Sequence, residues 1–214
     1  MNLVIVRHSQ SVANAENRWQ GQIDYPLSEQ GYQESKALKK KFEKENFSPN
    51  FVYSSPLKRA MCTAKIALPT RNIVAIEDLK EEDIGVFSGK THEEVRRDYT
   101  VVAEEFTRKG NIDVIPGSES KRDLDKRAAN AINFLVKGHN NQDEIAVFTH
   151  GGIMIPLIRG LLQTRETWRI NIPNAAVFQF VIDVDIWGKP RASDKNQGVF
   201  SISQFAYTGH LVGP

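Results

Sequence analysis

The sequence predicts an α/β fold: a three-layer α/β/α sandwich with a mostly parallel central sheet and a helical cap insertion. Three observations predict it. Short apolar runs rich in β-branched residues recur along the chain, helical patterns separate them, and several runs end in polar or small residues. Strands that alternate with helices are typical of parallel sheets, which bind ligands at the carboxyl ends of their strands. The residues that follow each strand are therefore the first candidates for a functional site.

Length and composition are those of an ordinary globular protein. The chain has 214 residues, 40% of them hydrophobic and 25% charged, and we interpret residues 1–214 as one domain with a cap insertion at about residues 88–120. The net charge of +2 is too small to indicate a nucleic-acid partner. The single cysteine, Cys62, cannot form an internal disulfide, and no apolar run is long enough for a signal peptide or a membrane span. We therefore expect a cytoplasmic protein with no membrane partner.

The first strand covers residues 3–6 and ends at Arg7 and His8. A long polar loop follows, and long loops at the carboxyl end of a strand often carry function. A cation beside an imidazole at this position indicates an anion site, although a single Arg-His pair is more often loop surface. The residues that follow the later strands distinguish an anion site from an ordinary surface loop.

The later elements supply the same chemistry at comparable positions. A helix at 29–44, with Tyr32, Leu38 and Phe42 among its apolar positions, is scaffold. The strand at 51–54 leads into a helix with Pro56 near its first turn and Arg59 within that turn, where anions are favoured. After the strand at 72–76 come Glu81 and Glu82 beside apolar residues. Partial desolvation there raises the pKa of a carboxyl and suits it to donate protons, although acidic runs are usually solvated loops.

The second half of the chain repeats the arrangement of the first strand. Helices at 91–99 and 101–109 are predicted to form the cap, followed by a core helix at 120–137. The apolar strand at 144–149 ends at His150, and Gly151 and Gly152 open an apolar helix that runs to about residue 162. These small residues let a ligand approach the backbone. Strands at 175–182 and 199–205 complete the sheet.

Together, the strand ends and helix starts predict phosphoryl transfer without a metal. A histidine among arginines can attack phosphorus, because the arginines spread the charge of the phosphoryl group in the transition state. Paired histidines can also hold a metal, but no H-E-x-x-H spacing is present and the nearby arginines would repel a divalent cation. We therefore expect no metal and no other cofactor.

Five motifs in order resemble the histidine phosphatase superfamily, the phosphoglycerate-mutase-like proteins, over residues 3 to about 182. The first joins Arg7-His8, Ser11 and Asn14 to the segment from Gln20-Gly21 through Leu27 to Gly31. The other four are Ser54-Ser55-Pro56-Leu57 with Arg59, Leu79-x-Glu81-x-x-x-Gly85, Pro116-Gly117-Ser118-Glu119-Ser120, and Thr149-His150-Gly151-Gly152. The resemblance implies that His8 is the nucleophile, that Arg7, Arg59 and His150 bind the phosphoryl group, and that Glu81 protonates the leaving alcohol. It further implies that Asn14, Gln20 and the backbone at Gly21 and Gly151 bind substrate. Glu82 is the alternative acid.

The resemblance leaves three functions open. We favour a phosphomonoesterase that acts on a small phosphorylated metabolite, because the chain between Glu81 and His150 is short for a phosphoglycerate mutase, the second candidate. The third is a binding module without turnover, which Ser9 favours, because the family usually has glycine there. The residue at position 88 usually differs between the phosphatases and the mutases of the family, and Ser88 matches neither, so this position does not indicate the branch. Family members are often homodimers, and the resemblance implies a possible homodimer here.

Overall fold

The computed structural model describes residues 1–164, 170–189 and 200–211. Its strands form one six-stranded sheet in the order β3-β2-β4-β1-β5-β6. The first four strands are parallel to one another, β5 is antiparallel to β1, and β6 is antiparallel to β5. The strands are β1 (Asn2–Arg7), β2 (Phe51–Ser54), β3 (Ile73–Ala75), β4 (Glu144–Thr149), β5 (Val177–Ile182) and β6 (Phe200–Tyr207).

Helices cover both faces of this sheet. Val4 and Val6 of β1 pack in one cluster with residues of α2 and α3, whereas Leu3 and Ile5 pack in a second cluster with residues of α6 and α7. The strand is therefore buried on both faces, as a continuous apolar run requires. The predicted three-layer α/β/α sandwich is confirmed. The helices are α1 (Val12–Ala15), α2 (Glu29–Lys44), α3 (Lys58–Ala67), α4 (His92–Asp98), α5 (Thr100–Lys109), α6 (Lys121–Lys137) and α7 (Gly151–Leu161).

Helices α4 and α5 form the cap and have a core of their own. Phe87, Val95, Ala103 and Ile115 are buried against one another in a third cluster that is separate from the two sheet clusters. An antiparallel bridge between residues 84 and 118 closes the base of the cap. Trp19, from the long loop after β1, packs against the ring of Phe87 at 5.9 Å between centroids. The cap therefore contacts the loop that contains Gln20 and Gly21.

One local prediction was wrong and another is made more exact. Pro56 lies near the first turn of α3, as predicted: Leu57 is the N-cap, its N–H donates to Oγ of Ser55 at 3.3 Å, and the helix begins two residues after the proline. Tyr32 was assigned to the apolar face of α2 but is 40% exposed, whereas Leu38 and Phe42 are buried as predicted. Residue 199, the predicted start of the last strand, lies outside the described residues. Within the described ranges, no helix has the length and apolar character needed to cross a membrane.

Candidate active site

His8 follows the last residue of β1 and is buried. Its Nδ1 lies 2.7 Å from the carbonyl oxygen of Ser9. Because a carbonyl only accepts, Nδ1 carries the proton and Nε2 keeps its lone pair. Burial, reinforced by the charges of Arg59 and Arg7, holds the pKa of His8 well below the ordinary value for histidine. The ring is therefore neutral at physiological pH, and Nε2 is a potential nucleophile.

Arg59 and His150 form a hydrogen-bonded pair beside this ring. Nε of Arg59 donates to Nδ1 of His150 at 3.1 Å, so Nε2 of His150 carries the proton and donates to Oγ of Ser55 at 2.7 Å. The His8 and His150 rings lie 5.1 Å apart between centroids. Burial, followed by the charge of Arg59, also holds the pKa of His150 well below its ordinary value. Two neutral imidazoles thus face each other next to a guanidinium.

The loop after β1 accepts hydrogen bonds from the terminal nitrogens of Arg59. These nitrogens donate to the carbonyls of Ile23 and Gly21, both at 2.8 Å. Gly21 has φ +51°, and a Cβ on it would lie 2.8 Å from Oγ of Ser88, so this turn requires glycine. Arg59 is completely buried, and burial lowers its pKa to about 10. It remains a cation at neutral pH.

Arg7 brings the second cation to the site. A Cβ on Gly151 would lie 3.5 Å from Nε and Cζ of Arg7, which places the guanidinium against the first residue of α7. One terminal nitrogen donates to the carbonyl of Ile172, and Nε is buried without a hydrogen-bond partner among the described residues. Within the described ranges, neither Arg7 nor Arg59 has a carboxylate within ion-pair distance. Two buried guanidinium charges without paired carboxylates make an anion site.

Glu81 and Glu82 lie over the first turn of α7. Oε1 of Glu81 accepts hydrogen bonds from the backbone N–H groups of Glu82 and Ile153, both at 3.0 Å. The negative charge of Glu81 acts on both arginines, whereas the charged neighbours of Glu82 are Glu81, Glu119 and Arg127. Burial, with the like charges of Glu81 and Glu119, raises the pKa of Glu82 to about 8. At neutral pH Glu82 therefore retains a proton close to the anion site.

Asn14 and Gln20 meet through Ser11. The hydroxyl of Ser11 lies 3.0 Å from Oδ1 of Asn14 and 2.7 Å from Oε1 of Gln20. Asn174, which precedes β5, donates from Nδ2 to the carbonyl of His8 at 3.2 Å and to Oδ1 of Asn14 at 3.1 Å. Both predicted substrate-binding amides thus use their oxygens within the loop. Among the described residues, neither NH₂ group of these two amides has a hydrogen bond.

The side chain of Ser9 is directed to α2. Its hydroxyl lies 2.8 Å from that of Ser35, and its backbone N–H donates to Oγ1 of Thr63 at 3.0 Å. Oγ1 of Thr63 in turn donates to the carbonyl of Arg59 at 2.7 Å. Ser9 therefore supports the backbone beneath His8 by connecting it to α2 and α3.

The structure places the predicted catalytic residues at one edge of the sheet, and it adds several supporting residues. Arg7, His8, Arg59, Glu81 and His150 share one end of the parallel strands, and the loop after β1 closes over them. Among the described residues, no group of three or more histidine, cysteine, aspartate or glutamate side chains is arranged to hold a metal ion. The motifs already contained some of the supporting residues, but nothing in the sequence pointed to Asn174 or Arg127. The supporting residues are Ser55, Thr63, Glu119, Arg127 and Asn174.

Comparisons with known proteins agree with this geometry. The sequence profile of the histidine phosphatase superfamily (branch 1) matches residues 3–194. A metal-independent phosphoserine phosphatase of Arabidopsis thaliana is 32% identical over 85% of this chain and 79% of its own length. Phosphoglycerate mutase-like protein 4 of the same plant is 30% identical over 86% of this chain and 81% of its own length. In structure, YhfR of Bacillus stearothermophilus superimposes with a TM-score of 0.82 at 25% identity, covering 99% of both chains.

The matched profile covers most of the chain and includes both histidines, both arginines and both glutamates of the site. These comparisons confirm the sequence prediction of a phosphoric monoester hydrolase of this family. The chain belongs to the histidine phosphatase superfamily, branch 1.

Proposed function

We propose that the protein hydrolyses a small phosphomonoester without a metal, through a phosphohistidine formed on His8. One observation carries this proposal: the charges of two guanidinium groups, which have no carboxylate partner among the described residues, act on a buried, neutral imidazole whose Nε2 keeps its lone pair. The arginines supply the positive charge that a metal supplies in other phosphatases. The name of the Arabidopsis relative, a metal-independent phosphatase, supports the same conclusion.

In the first step, Nε2 of His8 attacks phosphorus in line with the ester oxygen. The N–P bond forms, the P–O ester bond breaks, and the leaving oxygen takes a proton from the carboxyl pair, so that a neutral alcohol departs. Arg7 and Arg59 stabilise the phosphoryl oxygens. The Nδ1–H group of His8 donates to the carbonyl of Ser9, and this bond stabilises the positive charge that develops on the ring.

In the second step, water attacks the phosphohistidine. The carboxylate that gave up its proton now takes one from water, the N–P bond breaks, and inorganic phosphate leaves while His8 returns to its neutral form. No other reactant is needed, because each proton given in the first step is recovered in the second.

We assign the donor role to Glu81 and the role of proton store to Glu82. The charge of Glu81 acts directly on both arginines, and this supports the assignment of Glu81 as the donor to the leaving group. The charges that act on Glu82 are those of Glu81, Glu119 and Arg127, and burial with the two like charges raises its pKa to about 8. Both carboxyls lie against Gly152, so a proton held by Glu82 is close to Glu81.

The first substrate to test is phosphoserine, on which the Arabidopsis relative acts according to its name. Phosphoglycerate mutase activity is the second candidate, since another relative of similar identity is mutase-like by name. A cytoplasmic location, a homodimer and the lack of a nucleic-acid partner remain predictions.

The proposal is tested by measuring hydrolysis of an aryl phosphate and of a metabolite panel in excess chelator. The parent is compared with His8→Ala and with a matched control, His139→Ala. His139 lies outside the site, where its ring bonds the hydroxyl of Tyr53 at 2.9 Å. We expect chelator-resistant turnover, its loss in His8→Ala alone, and an acid-labile, alkali-stable phosphoenzyme. Turnover that survives His8→Ala, or that requires an added metal, would contradict the mechanism. Conversion of 3-phosphoglycerate to its isomer faster than release of phosphate would establish the mutase instead.

A further inference from the structure

The segment that carries the two glutamates is held mainly by side chains of other elements. Arg127 of α6 donates to three of its backbone carbonyls at 2.9, 3.0 and 3.3 Å. The acceptors are the carbonyls of Asp78, Lys80 and Glu81. Leu79 lies between them, and its carbonyl accepts a hydrogen bond from Oγ1 of Thr149 at 2.7 Å. Two side chains thus bond four successive carbonyls, and Nε2 of Gln22 also donates to the carbonyl of Glu81, at 3.0 Å.

Arg127 is in turn fixed by Glu119, which belongs to the motif at residues 116–120. Nε and one terminal nitrogen donate to the two carboxylate oxygens at 2.6 and 2.7 Å, a bidentate arrangement. With the three carbonyl bonds, all of the N–H donors of the guanidinium are used. The exposed fractions of the two side chains are only 18% and 13%, so the geometry is sheltered from solvent.

This arrangement determines where the carboxyls lie. The bond from Arg127 to the carbonyl of Glu81 acts on the residue whose own carboxyl contacts the N–H of Ile153 in α7. A proton donor works only within hydrogen-bond reach of the leaving oxygen, about 2.6–3.2 Å. A displacement of about 1 Å costs on the order of 10²-fold in rate. Anything that lets this segment move therefore affects proton transfer before it affects phosphate binding.

We propose that Arg127, clamped by Glu119, is a positioning residue for the proton donor: it holds residues 78–82 so that the carboxyl of Glu81 reaches the leaving oxygen. The inference rests on the proposed function. Arg127 neither touches substrate nor transfers a proton, because all of its donors are used within the protein.

The test uses the dependence of the rate on the leaving group. An alkyl phosphomonoester releases a strongly basic alkoxide that must be protonated, whereas 2,4-dinitrophenyl phosphate releases a weakly basic phenolate that needs no acid. The quantity compared is kcat/KM, because it reports phosphoryl transfer to His8 and not the later hydrolysis of the intermediate. The variants are Arg127→Gln, Arg127→Lys and Glu119→Gln, with Glu81→Gln as the reference for a lost donor.

For Arg127→Gln we expect kcat/KM to fall by at least about 10-fold with the alkyl substrate and by less than about 3-fold with the dinitrophenyl substrate, given that a general acid contributes roughly 10²–10⁴-fold. Glu81→Gln should show the same selectivity. Arg127→Lys should show the same losses as Arg127→Gln, because a lysine keeps the charge but cannot donate the bidentate hydrogen bonds to Glu119. If Arg127→Gln does not fold, Glu119→Gln answers the same question, since it removes the clamp and leaves the arginine.

The matched control is Arg159→Gln, which breaks another partly buried ion pair of α6, that of Arg159 with Asp125 at 2.6 Å. It should lower kcat/KM for both substrates equally or not at all. An equal loss on both substrates in the Arg127 and Glu119 variants, or no loss, would overturn the proposal. Failure of the proposed function gives a different result, because the parent would then hydrolyse neither substrate or would keep its activity in His8→Ala.

Discussion

Replacing Gly152 with alanine tests the placement of the carboxyl pair against α7. A Cβ on Gly152 would lie 2.6 Å from Oε1 of Glu81 and 2.6 Å from Oε1 of Glu82, whereas ordinary contact begins near 3.4 Å. Both carboxyls must therefore withdraw by about 0.8 Å from the site. A displacement of this size predicts a loss of roughly 10- to 100-fold in kcat/KM for an alkyl phosphomonoester.

The thermal stability of Gly152→Ala should not fall together with its activity. The atoms that the new methyl group meets are the ends of flexible side chains, and alanine in a helix is favoured over glycine by about 0.5–1 kcal/mol. We therefore expect an unchanged or slightly raised Tm together with the loss of activity, measured by thermal unfolding and steady-state kinetics. The comparison is 2,4-dinitrophenyl phosphate, because its leaving group needs no acid and its kcat/KM should fall much less in the same variant. Full activity of Gly152→Ala, or a fall in Tm that matches the fall in activity, would refute the placement.

Three further outcomes follow from the site. Arg59→Lys leaves the buried carbonyls of Gly21 and Ile23 unpaired, so the free energy of unfolding, measured with urea at pH 7, should fall by about 3 kcal/mol. A fall of less than about 1 kcal/mol would contradict the burial of the Arg59 guanidinium. The pKa of His8 is lowered, so His8 stays nucleophilic below pH 6.5, whereas Glu82 loses its proton as the pH rises through about 8. The value of kcat/KM should therefore decrease as the pH rises through about 8, and Glu82→Gln should move this decrease to lower pH. A decrease at the same pH in the variant would argue against Glu82 as the proton store. Ser9→Gly removes the bond to Ser35 and should cost about 1 kcal/mol of stability by denaturant unfolding with little change in kcat, whereas a large change in kcat would place Ser9 in the catalytic path.

The strands and the central residues of the site could be predicted because their signals are local. The run before Arg7 is apolar and β-branched, and the polar residues after it mark where the strand ends. Because parallel strands end at the same edge of a sheet, ordering the runs was enough to bring His8, Arg59 and His150 together. Tyr32 misled the prediction because helical periodicity does not define how wide the buried face of a helix is.

The supporting residues could not be predicted because their contacts join distant parts of the chain. Asn174 bonds the carbonyl of His8 across most of the sequence, and no motif marks it. Arg127 stands among the lysines, arginines and aspartates of α6, where a charge normally indicates a solvated face. Its burial depends on where Glu119 and the 78–82 segment lie, and that information exists only in the folded structure.

The separate core of the cap has a consequence for how this protein can change. Phe87, Val95 and Ala103 are buried against their own neighbours, so the outer residues of α4 and α5 can be replaced without disturbing the packing of the sheet. The paired residues 84 and 118 mark a natural junction for transplanting the cap from one relative to another. Exchanging the cap between relatives would therefore test whether selectivity for the alcohol part of a substrate lies in the cap, because such an exchange leaves the residues proposed to act on phosphorus unchanged.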